Sequence, residues 1–259
     1  DTTNLVKKNG IIYVWTNKNL KSRELEIKVR RDLGIKQTLL TQKEILELEP
    51  NLNPVFDAGV IYEDAMHAKD PHKILKEIFK LFLKKGGKFI QEDIKSIKQN
   101  NEHQTTIAAS NKQYFFEKSI IASGAFSKNL TDQLGEKIPL DTERGYHVHF
   151  KNMENLISRP VIFLDRGFGM TPMKQGLRAV GTVELGGLKN PPSKERIEYV
   201  INCAKELLPG LGKHDDEWLG FRPTLPDFLP ILGPSLKNKN IIYAFGHQHL
   251  GWTLGAITG

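Results

Sequence analysis

The sequence has little of several features that mark particular classes of protein. Cys203 is the single cysteine among 259 residues, so no internal disulfide can form and a disulfide-rich secreted scaffold is excluded. The longest uncharged apolar runs, such as Ile11–Trp15, have about five residues, whereas a membrane-spanning helix needs roughly 18 to 20. The composition therefore predicts a globular protein of one large or two smaller domains, with no transmembrane segment.

Charge of one sign is also not concentrated anywhere in the chain. The net charge is +7, from 37 basic and 30 acidic residues, but the lysines are scattered among acids. A nucleic-acid groove requires basic residues interleaved with aromatic ones on one face. We therefore interpret the excess as a solvated, lysine-rich surface and expect no nucleic-acid partner.

The first 139 residues have the alternating helix and strand patterns of an α/β fold. Apolar spacing predicts a helix from Ser22 to Leu33, a capping box at Thr41 and Glu44 predicts a second that ends before Pro50, and Asp70-Pro71 begins a third with a strong apolar stripe. Strands are predicted at 88–90, 94–97 and 119–122, with a polar hairpin around residues 100–101 and a glycine turn at Gly124.

From about residue 139 the pattern changes to antiparallel β. Apolar residues alternate with histidines along 146–150, a hairpin turn is predicted at 174–176, and one helix is predicted from Lys194 to Leu208. The last 40 residues place four prolines, at 223, 226, 230 and 234, in a predicted extended loop before a buried strand at 241–245. The change from an α/β pattern to an antiparallel β pattern, followed by a final strand and glycine-rich turn, predicts two interleaved domains.

Two histidine pairs are the first candidates for chemistry. His147 with His149, and His247 with His249, are two residues apart, so on a strand both imidazoles of a pair would share a face, as a metal site needs. No acid or cysteine lies at a spacing that would complete a tetrahedral set. We therefore favour the polar face of a strand or loop hydrogen bonding, and interpret Cys203 as a small core residue.

The carboxyl-terminal segment has the richest pattern. A buried strand runs directly into glycines at 246, 251, 255 and 259, which would bring bare backbone N–H groups and a helix N-terminus close to an anion or an electron-rich carbonyl. Pro223 holds the backbone of Arg222 extended, and a fixed guanidinium can bind both oxygens of a carboxylate. A structural salt bridge is the alternative role for Arg222.

Several strings, in their order, resemble the FAD-dependent amine and amino-acid oxidoreductases of the D-amino-acid oxidase superfamily. The resemblance is strongest to the bacterial D-amino-acid dehydrogenase branch and covers nearly the whole chain. The strings are Asp70-Pro-His, Ile121-Ala-Ser-Gly-Ala-Phe-Ser127, Asp141-Thr-Glu-Arg-Gly-Tyr-His147, Asp165-Arg-Gly-Phe-Gly-Met-Thr-Pro172, Val180-Gly-Thr-Val-Glu184, Gly220-Phe-Arg-Pro and Gly246-His-Gln-His-Leu-Gly251.

The resemblance implies a mixed α+β and α/β architecture. An FAD-binding nucleotide fold, incomplete here, would be interleaved with a substrate domain built on a large antiparallel sheet. Residues 1–58 and 140–215 would then form the substrate domain. Residues 59–139 and 216–259 would form a partial FAD-binding domain.

The resemblance also implies roles for particular residues. Arg222 falls on the family's carboxylate-binding arginine, and His249 falls beside the substrate amine. Some relatives have a second arginine where His249 stands and a substrate tyrosine near Gly169, so this chain departs from them at both positions. The residues implied in FAD binding are Ile94 at the adenine, Ser123 and Gly124 near the pyrophosphate, and Gln248, Gly251, Trp252 and Thr253 around the flavin.

The activity that the resemblance implies is hydride transfer from a D-amino acid to FAD, giving a 2-oxo acid and ammonia. The electron acceptor would be a quinone or the respiratory chain, or oxygen. The location would be cytoplasmic, either free or peripheral on the inner face of the cell membrane. Oxidation of glycine, sarcosine or proline is the alternative within enzymes, and a non-catalytic fragment that binds no FAD is the alternative outside them.

One motif of the family is missing. The strand-Gly-x-Gly-x-x-Gly-helix that holds the FAD pyrophosphate occurs nowhere in the 259 residues, and the chain begins without methionine. The sequence is therefore interpreted as an internal fragment of a flavoenzyme. We expect the fragment by itself to bind FAD weakly or not at all and to be inactive.

Overall fold

The computed structural model describes residues 3–16, 20–101 and 104–259. Its helices are α1 (Leu20–Asp32), α2 (Gln42–Leu48), α3 (Pro71–Lys84), α4 (Lys128–Gln133), α5 (Lys194–Leu207) and α6 (Gly251–Thr258). Its strands are β1 (Val6–Lys8), β2 (Ile11–Trp15), β3 (Thr38–Thr41), β4 (Ala58–Tyr62), β5 (Met66–Ala68), β6 (Ile94–Asn101), β7 (Gln104–Ala109), β8 (Gln113–Phe116), β9 (Ser119–Ile121), β10 (Asp141–Lys151), β11 (Val161–Phe163), β12 (Phe168–Met173), β13 (Gly176–Glu184), β14 (Asp216–Thr224), β15 (Ile231–Pro234) and β16 (Ile241–Phe245). Among the described helices, none is long and apolar enough to cross a membrane.

The chain divides into two compact units. Unit 1 comprises residues 1–87, 146–182 and 192–219, and unit 2 comprises residues 88–145, 183–191 and 220–259. These bounds differ from those of the domains implied by the family resemblance. The clearest difference is at residues 59–87, which belong to unit 1, whereas the resemblance implies that they belong to the FAD-binding domain. Compactness reports packing rather than function, so the division into substrate and cofactor domains stays a prediction.

Most residues of a large sheet belong to unit 1, and the ends of β10, β13 and β14 belong to unit 2. The described residues form an eight-stranded sheet in the order β14-β10-β13-β12-β11-β2-β4-β3. Strands β11, β12 and β13 pair antiparallel, as do β2, β4 and β3, whereas β11 and β2 are parallel. The predicted large sheet of antiparallel character is therefore confirmed, with one parallel junction.

Helix α5 covers one face of this sheet. Ser193 caps the helix, its hydroxyl accepting a hydrogen bond from the Arg196 N–H at 3.3 Å. The buried stripe of the helix packs in one core cluster with inward side chains of β10, β12 and β13, and Cys203 lies within it, as predicted. Each fully buried aliphatic side chain stabilises such a core by about 1.5–3 kcal/mol. The residues in that stripe are Ile197, Val200, Cys203, Ala204 and Leu207.

The alternation predicted along β10 fixes which side chains face away from this core. Tyr146, Val148 and Phe150 are buried in it, so His147 and His149 point to the opposite face of the strand. On β13, Leu177 and Ala179 are buried in the same core, which puts Arg178 on the opposite face as well. The sheet of unit 1 thus has an apolar face under α5 and a polar face.

Helix α3 confirms its predicted start but does not bury its apolar stripe. Asp70 caps the helix, its Oδ1 accepting from the Lys73 N–H at 2.9 Å, and Pro71 occupies the first turn. None of its residues is buried in the part of the chain that the structure describes, and Ile78 is 58 % exposed. The periodicity therefore predicted the helix correctly, whereas burial of the stripe depends on a partner element.

Unit 2 contains a pair of parallel strands. Strand β9 pairs in parallel with β16, and β15 pairs antiparallel with the other edge of β16. A separate antiparallel sheet, β6-β7-β8, contains the predicted hairpin, whose residues 102–103 lie outside the described residues. Because β9 and β16 are parallel, the turns that follow them leave the sheet at the same edge.

Two local predictions were wrong. Residues 88–90 do not form a strand, and the ladder begins only at Ile94, where β6 has β7 to pair with. Pro223 and Pro234 lie at the ends of β14 and β15 rather than in one extended loop. A proline is tolerated in a strand where its missing N–H is not needed, so its presence did not exclude strand structure there.

Candidate functional site

The guanidinium group of Arg222 lies against a glycine in unit 2. Arg222 is in β14, and a Cβ at position 145 of β10 would overlap its Cζ and both terminal nitrogens. Gly145 is itself buried, so a side chain there could not turn aside into solvent. Position 145 therefore accepts only glycine as long as the guanidinium group remains in place.

The charge of Arg222 is partly desolvated. Burial lowers the pKa of the Arg222 guanidinium, and the negative charge of Glu143 on β10 opposes this shift. An arginine retains its charge even when its pKa is lowered, so the group is a permanent cation in a poorly hydrated position. Such a cation attracts an anion more strongly than a solvated surface arginine does.

Gln248 connects the turn after β16 to both strands of this group. Its backbone N–H donates to the Pro223 carbonyl at 2.9 Å, and its Nε2 donates to Glu143 Oε2 at 3.2 Å. Its φ of +52° is unusual for a residue with a side chain. We call Glu143, Gly145, Arg222, Pro223 and Gln248 the Arg222 cluster.

Helix α6 begins directly after the same turn. Leu250 is at the N-cap position, and no side chain caps the first turn of the helix. Gly251, Trp252 and Thr253 form that first turn, and Trp252 is 50 % exposed. The N-terminal N–H groups of a helix are donors for an anion or an electron-rich carbonyl. The predicted cofactor residues 248 and 251–253 thus lie close together in sequence, on one turn and the helix start that follows it.

His249 lies in this turn and is exposed. His247, two residues earlier, has its Nε2 3.0 Å from Thr258 Oγ1 within the same segment. The other predicted pair lies on β10, where the rings of His147 and Trp218 stack and His149 Nε2 is 3.4 Å from the Gln175 carbonyl. Among the described residues no group of three His, Cys, Asp or Glu side chains could hold a metal ion.

A cavity joins two other predicted residues of unit 2. Ile94 and Ser123 both line a cavity of about 540 Å³, whose wall also includes Asp93, Lys95, Phe126, Asn129, Leu130 and Gln133. The volume is within the roughly 300–1,000 Å³ typical of small-molecule and cofactor sites. Gly124 follows with φ +55° and open space where a side chain would stand. The turn after β9 therefore leaves its backbone accessible at the carboxyl end of a parallel strand.

The residues present fit part of an FAD site. Two turns at the carboxyl ends of parallel strands, one followed by an uncapped helix start and the other beside the Ile94–Ser123 cavity, are where open α/β sheets bind dinucleotides. The Gly-x-Gly-x-x-Gly turn that holds the pyrophosphate in such folds does not occur in the sequence.

Sequence reasoning missed Glu143 and Gly145 as functional candidates. Both lie in the string Asp141 to His147, and their spacing of two residues on a strand places them on one face. That alternation was a usable signal. The contact between Gly145 and the guanidinium group of Arg222, which lies 77 positions further along the chain, could not be predicted from that alternation.

Comparison with known proteins identifies the family. The family model described as FAD dependent oxidoreductase matches residues 3–259. A D-amino-acid oxidase of Bradyrhizobium diazoefficiens is 30 % identical over 98 % of this chain and 62 % of its own length. A D-amino acid dehydrogenase of Paramagnetospirillum magneticum is 30 % identical over 92 % of this chain and 57 % of its length. The chain thus spans less than two thirds of these curated relatives.

Solved structures share the fold. Glycine oxidase from Geobacillus kaustophilus superposes with a TM-score of 0.90 at 20 % identity, covering 98 % of this chain and 69 % of that structure. L-Proline dehydrogenase from P. horikoshii gives a TM-score of 0.85 at 18 % identity over 98 % of this chain and 71 % of its own. Because the family model extends over nearly every residue and the fold agrees, this chain belongs to the FAD-dependent oxidoreductase family of D-amino-acid oxidase.

Proposed function

We propose that the chain carries the substrate-anchoring part of an enzyme that oxidises the C–N bond of a D-amino acid with FAD. The overall reaction removes a hydride from Cα and a proton from the amine, and water converts the resulting imine into a 2-oxo acid and ammonia. The names of the relatives, D-amino-acid oxidase and D-amino acid dehydrogenase, support this choice. The observation that carries it is the half-buried Arg222 guanidinium seated on Gly145.

Arg222 binds the substrate carboxylate in this proposal. Two parallel N–H donors of a guanidinium match the two oxygens of a carboxylate and fix its orientation as well as its position. Gly145 leaves free the space that the guanidinium group occupies, and the hydrogen bond from the Gln248 N–H to the Pro223 carbonyl holds the next residue of β14. Fixing the carboxylate fixes Cα, and correct placement supplies much of the rate in such reactions.

The cofactor residues are proposed from the same geometry. Ile94, Ser123 and Gly124 would hold the adenine and pyrophosphate part of FAD, and Gln248, Gly251, Trp252 and Thr253 the flavin pyrimidine ring, with His249 beside the substrate amine. FAD, when bound, supplies the two-electron acceptor for the hydride. The N-terminal N–H groups of α6 stabilise negative charge that develops near them.

The test of the anchor is an Arg222→Gln variant. We expect its affinity for D-alanine, measured by calorimetric titration, to fall about 100-fold or more, because the substrate loses both its charge partner and its orientation. Arg166→Gln is the matched control, since Arg166 is an exposed arginine paired with Glu206. Equal affinity for D-alanine in Arg222→Gln and the unaltered chain would disprove the role.

A substrate and acceptor screen tests the rest of the proposal. In calorimetric titrations D-amino acids should bind more tightly than glycine, sarcosine and proline, and the opposite order would favour the alternative substrate class. If titration shows that FAD is bound, the rates at which oxygen and a soluble quinone reoxidise the reduced flavin distinguish an oxidase from a dehydrogenase.

Binding of FAD by this chain is tested by titration. Because the Gly-x-Gly-x-x-Gly turn is missing from the sequence, we expect FAD to bind weakly or not at all and the purified protein to be colourless. Flavin absorbance that persists through gel filtration would contradict this expectation. Failure to bind either FAD or D-alanine would favour a non-catalytic role.

A further inference from the structure

The Arg222 cluster, which lies within unit 2, places an acid beside its arginine. Glu143 and Gly145 are two positions apart on β10, so both face the same side of the strand. The guanidinium group of Arg222 lies over Gly145, where it occupies the space of a Cβ atom. The Glu143 side chain therefore leaves the strand on the face that carries the guanidinium group. Its negative charge opposes the lowering of the Arg222 pKa by burial.

The spacing of the two side chains follows from the strand. Residues i and i+2 of a β-strand are about 6.5–7 Å apart, so the guanidinium group over Gly145 lies about that far from the base of the Glu143 side chain. An α-amino acid carries its carboxylate and its amino group on one carbon atom. With a hydrogen bond of about 2.8 Å at each end, such a molecule can reach both side chains at once.

One oxygen of the Glu143 carboxylate is available to a ligand. Gln248 Nε2 donates to Oε2 at 3.2 Å, and no described residue donates a hydrogen bond to Oε1. Gln248 is itself held by the bond from its N–H to the Pro223 carbonyl. Glu143 is half-buried, and its Oε1 is not among the enclosed side-chain oxygens. The carboxylate is thus oriented through one oxygen and accessible at the other.

The carboxylate anchor by itself leaves one charge of an amino acid unpaired. At neutral pH a free amino acid has a negative carboxylate and a positive ammonium group. Arg222 matches the carboxylate, but His249, the residue assigned beside the amine, supplies no negative charge. An ammonium group close to a guanidinium group is repelled by it. A carboxylate beside the arginine offsets this repulsion and accepts a charge-assisted hydrogen bond.

We propose that Glu143 binds the amino group of the substrate and selects amino acids over 2-hydroxy acids of the same size. This inference rests on the function proposed above, since it requires Arg222 to bind the substrate carboxylate. Each charge of the zwitterion then meets a partner of opposite sign. A 2-hydroxy acid has the same carboxylate but no positive charge, so Glu143 repels it. Specificity arises from the attraction and the repulsion together.

Two ligands of equal size test the role of Glu143 by calorimetric titration. D-Lactate has a hydroxyl group where D-alanine has its ammonium group, and we expect the unaltered chain to bind D-alanine more tightly. Glu143→Gln keeps the length of the side chain and an oxygen that can accept from Gln248, but it removes the charge. Its Kd for D-alanine should rise about ten- to hundredfold, whereas its Kd for D-lactate should stay the same or fall. A merely structural role would raise both dissociation constants.

Control variants separate this role from the anchor and from misfolding. Glu117→Gln removes an exposed acid of the same unit and should change each Kd by less than about twofold. Arg222→Gln should weaken the binding of both ligands, and circular dichroism should show each variant folded.

Three outcomes would overturn the role of Glu143. They are equal affinity of the unaltered chain for the two ligands, an unchanged ratio of the two dissociation constants in Glu143→Gln, and no saturation by about 20 mM D-alanine. An unchanged ratio in Glu143→Gln together with weaker binding in Arg222→Gln would remove the role of Glu143 and retain the anchor. Unchanged binding of both ligands in Arg222→Gln would disprove the anchor and, with it, this inference.

Discussion

Two arginines on neighbouring strands of the large sheet differ in how their donors are used. Arg144, in unit 2, is fully buried, pairs with Glu184 at 3.1 Å and donates to the carbonyls of Gly186 at 3.3 Å and Pro191 at 2.7 Å. In Arg178, in unit 1, the Nε is buried and has no hydrogen-bond partner among the described residues. The two side chains have the same chemistry, so the difference lies in what the chain places around each.

This difference separates a structural arginine from one suited to a ligand. The buried guanidinium group of Arg144 is bonded to a carboxylate and two carbonyls, and it holds the segment 184–191 against β10. Because its donors are already used, it would bind an added anion only weakly. A desolvated guanidinium without acceptors destabilises the fold slightly and recovers that free energy when an anion binds. Functional sites commonly retain local features that are unfavourable for stability.

The largest expected effect is on the structural arginine. Arg144→Met should lower the free energy of unfolding by about 3–5 kcal/mol, because Glu184 and two carbonyl groups lose their partner in a buried place. Arg178→Met should change it by less than about 1 kcal/mol, since the lost cation had no protein acceptor. Urea unfolding monitored by circular dichroism measures both. A similar loss in the two variants would mean that Arg178 is also structural, and the comparison would fail.

A smaller effect is expected at the glycine beside Arg144. A Cβ at position 186 would lie 2.8 Å from Arg144 Nη1 and 3.1 Å from its Cδ, so Gly186→Ala must displace the guanidinium group. We expect a loss of about 1–3 kcal/mol, typical of overpacking, in the same unfolding experiment. Gly210→Ala is the matched control, because no atom lies within 4 Å of its Cβ position. If both substitutions lower the free energy of unfolding equally, the residues around Arg144 are packed more loosely than its hydrogen bonds indicate.

The elements of the fold were largely predictable because local patterns decide them. The alternation along 146–150 correctly predicted which residues of β10 are buried, and the caps at Ser193 and Asp70 agree with helices that periodicity had already indicated. These features depend on residues within about four positions of one another. Where a strand needed a distant partner, as at 88–90, the local pattern was insufficient.

The sites depend on contacts that no local pattern records. The residues of the His147–Trp218 stack and those of the Gly145–Arg222 contact are more than 70 positions apart in sequence. The string around Gly145 and the pair Arg222-Pro223 were both noticed, but only the sheet order brings β10 beside β14. Arg178 attracted no attention in sequence, because its significance is an absence of acceptors that appears only in three dimensions.

The smallest predicted effect concerns the acid sensitivity of the face that carries Arg178. The pKa of His147 is lowered from 6.5 to about 4 by burial, Arg178 and His149, so between these values the unfolded chain binds a proton that the folded chain does not. Stability therefore falls as the pH drops from about 6.5 to 4, by about 1–2 kcal/mol for this ring once solvent screening is allowed for. His147→Phe keeps a flat ring against Trp218 but removes the titration, so its urea midpoint should fall less over this range. The stability of His147→Phe should still fall somewhat over this pH range, since burial also lowers the pKa of His67, whose ring nitrogens have no hydrogen-bond partner among the described residues.

The control is the substitution of an exposed histidine, His72→Gln, measured over the same pH range. Parallel pH profiles for His147→Phe and the unaltered chain would show that the pKa of this imidazole is not lowered by its burial, and the polar face would then be better hydrated than its geometry indicates.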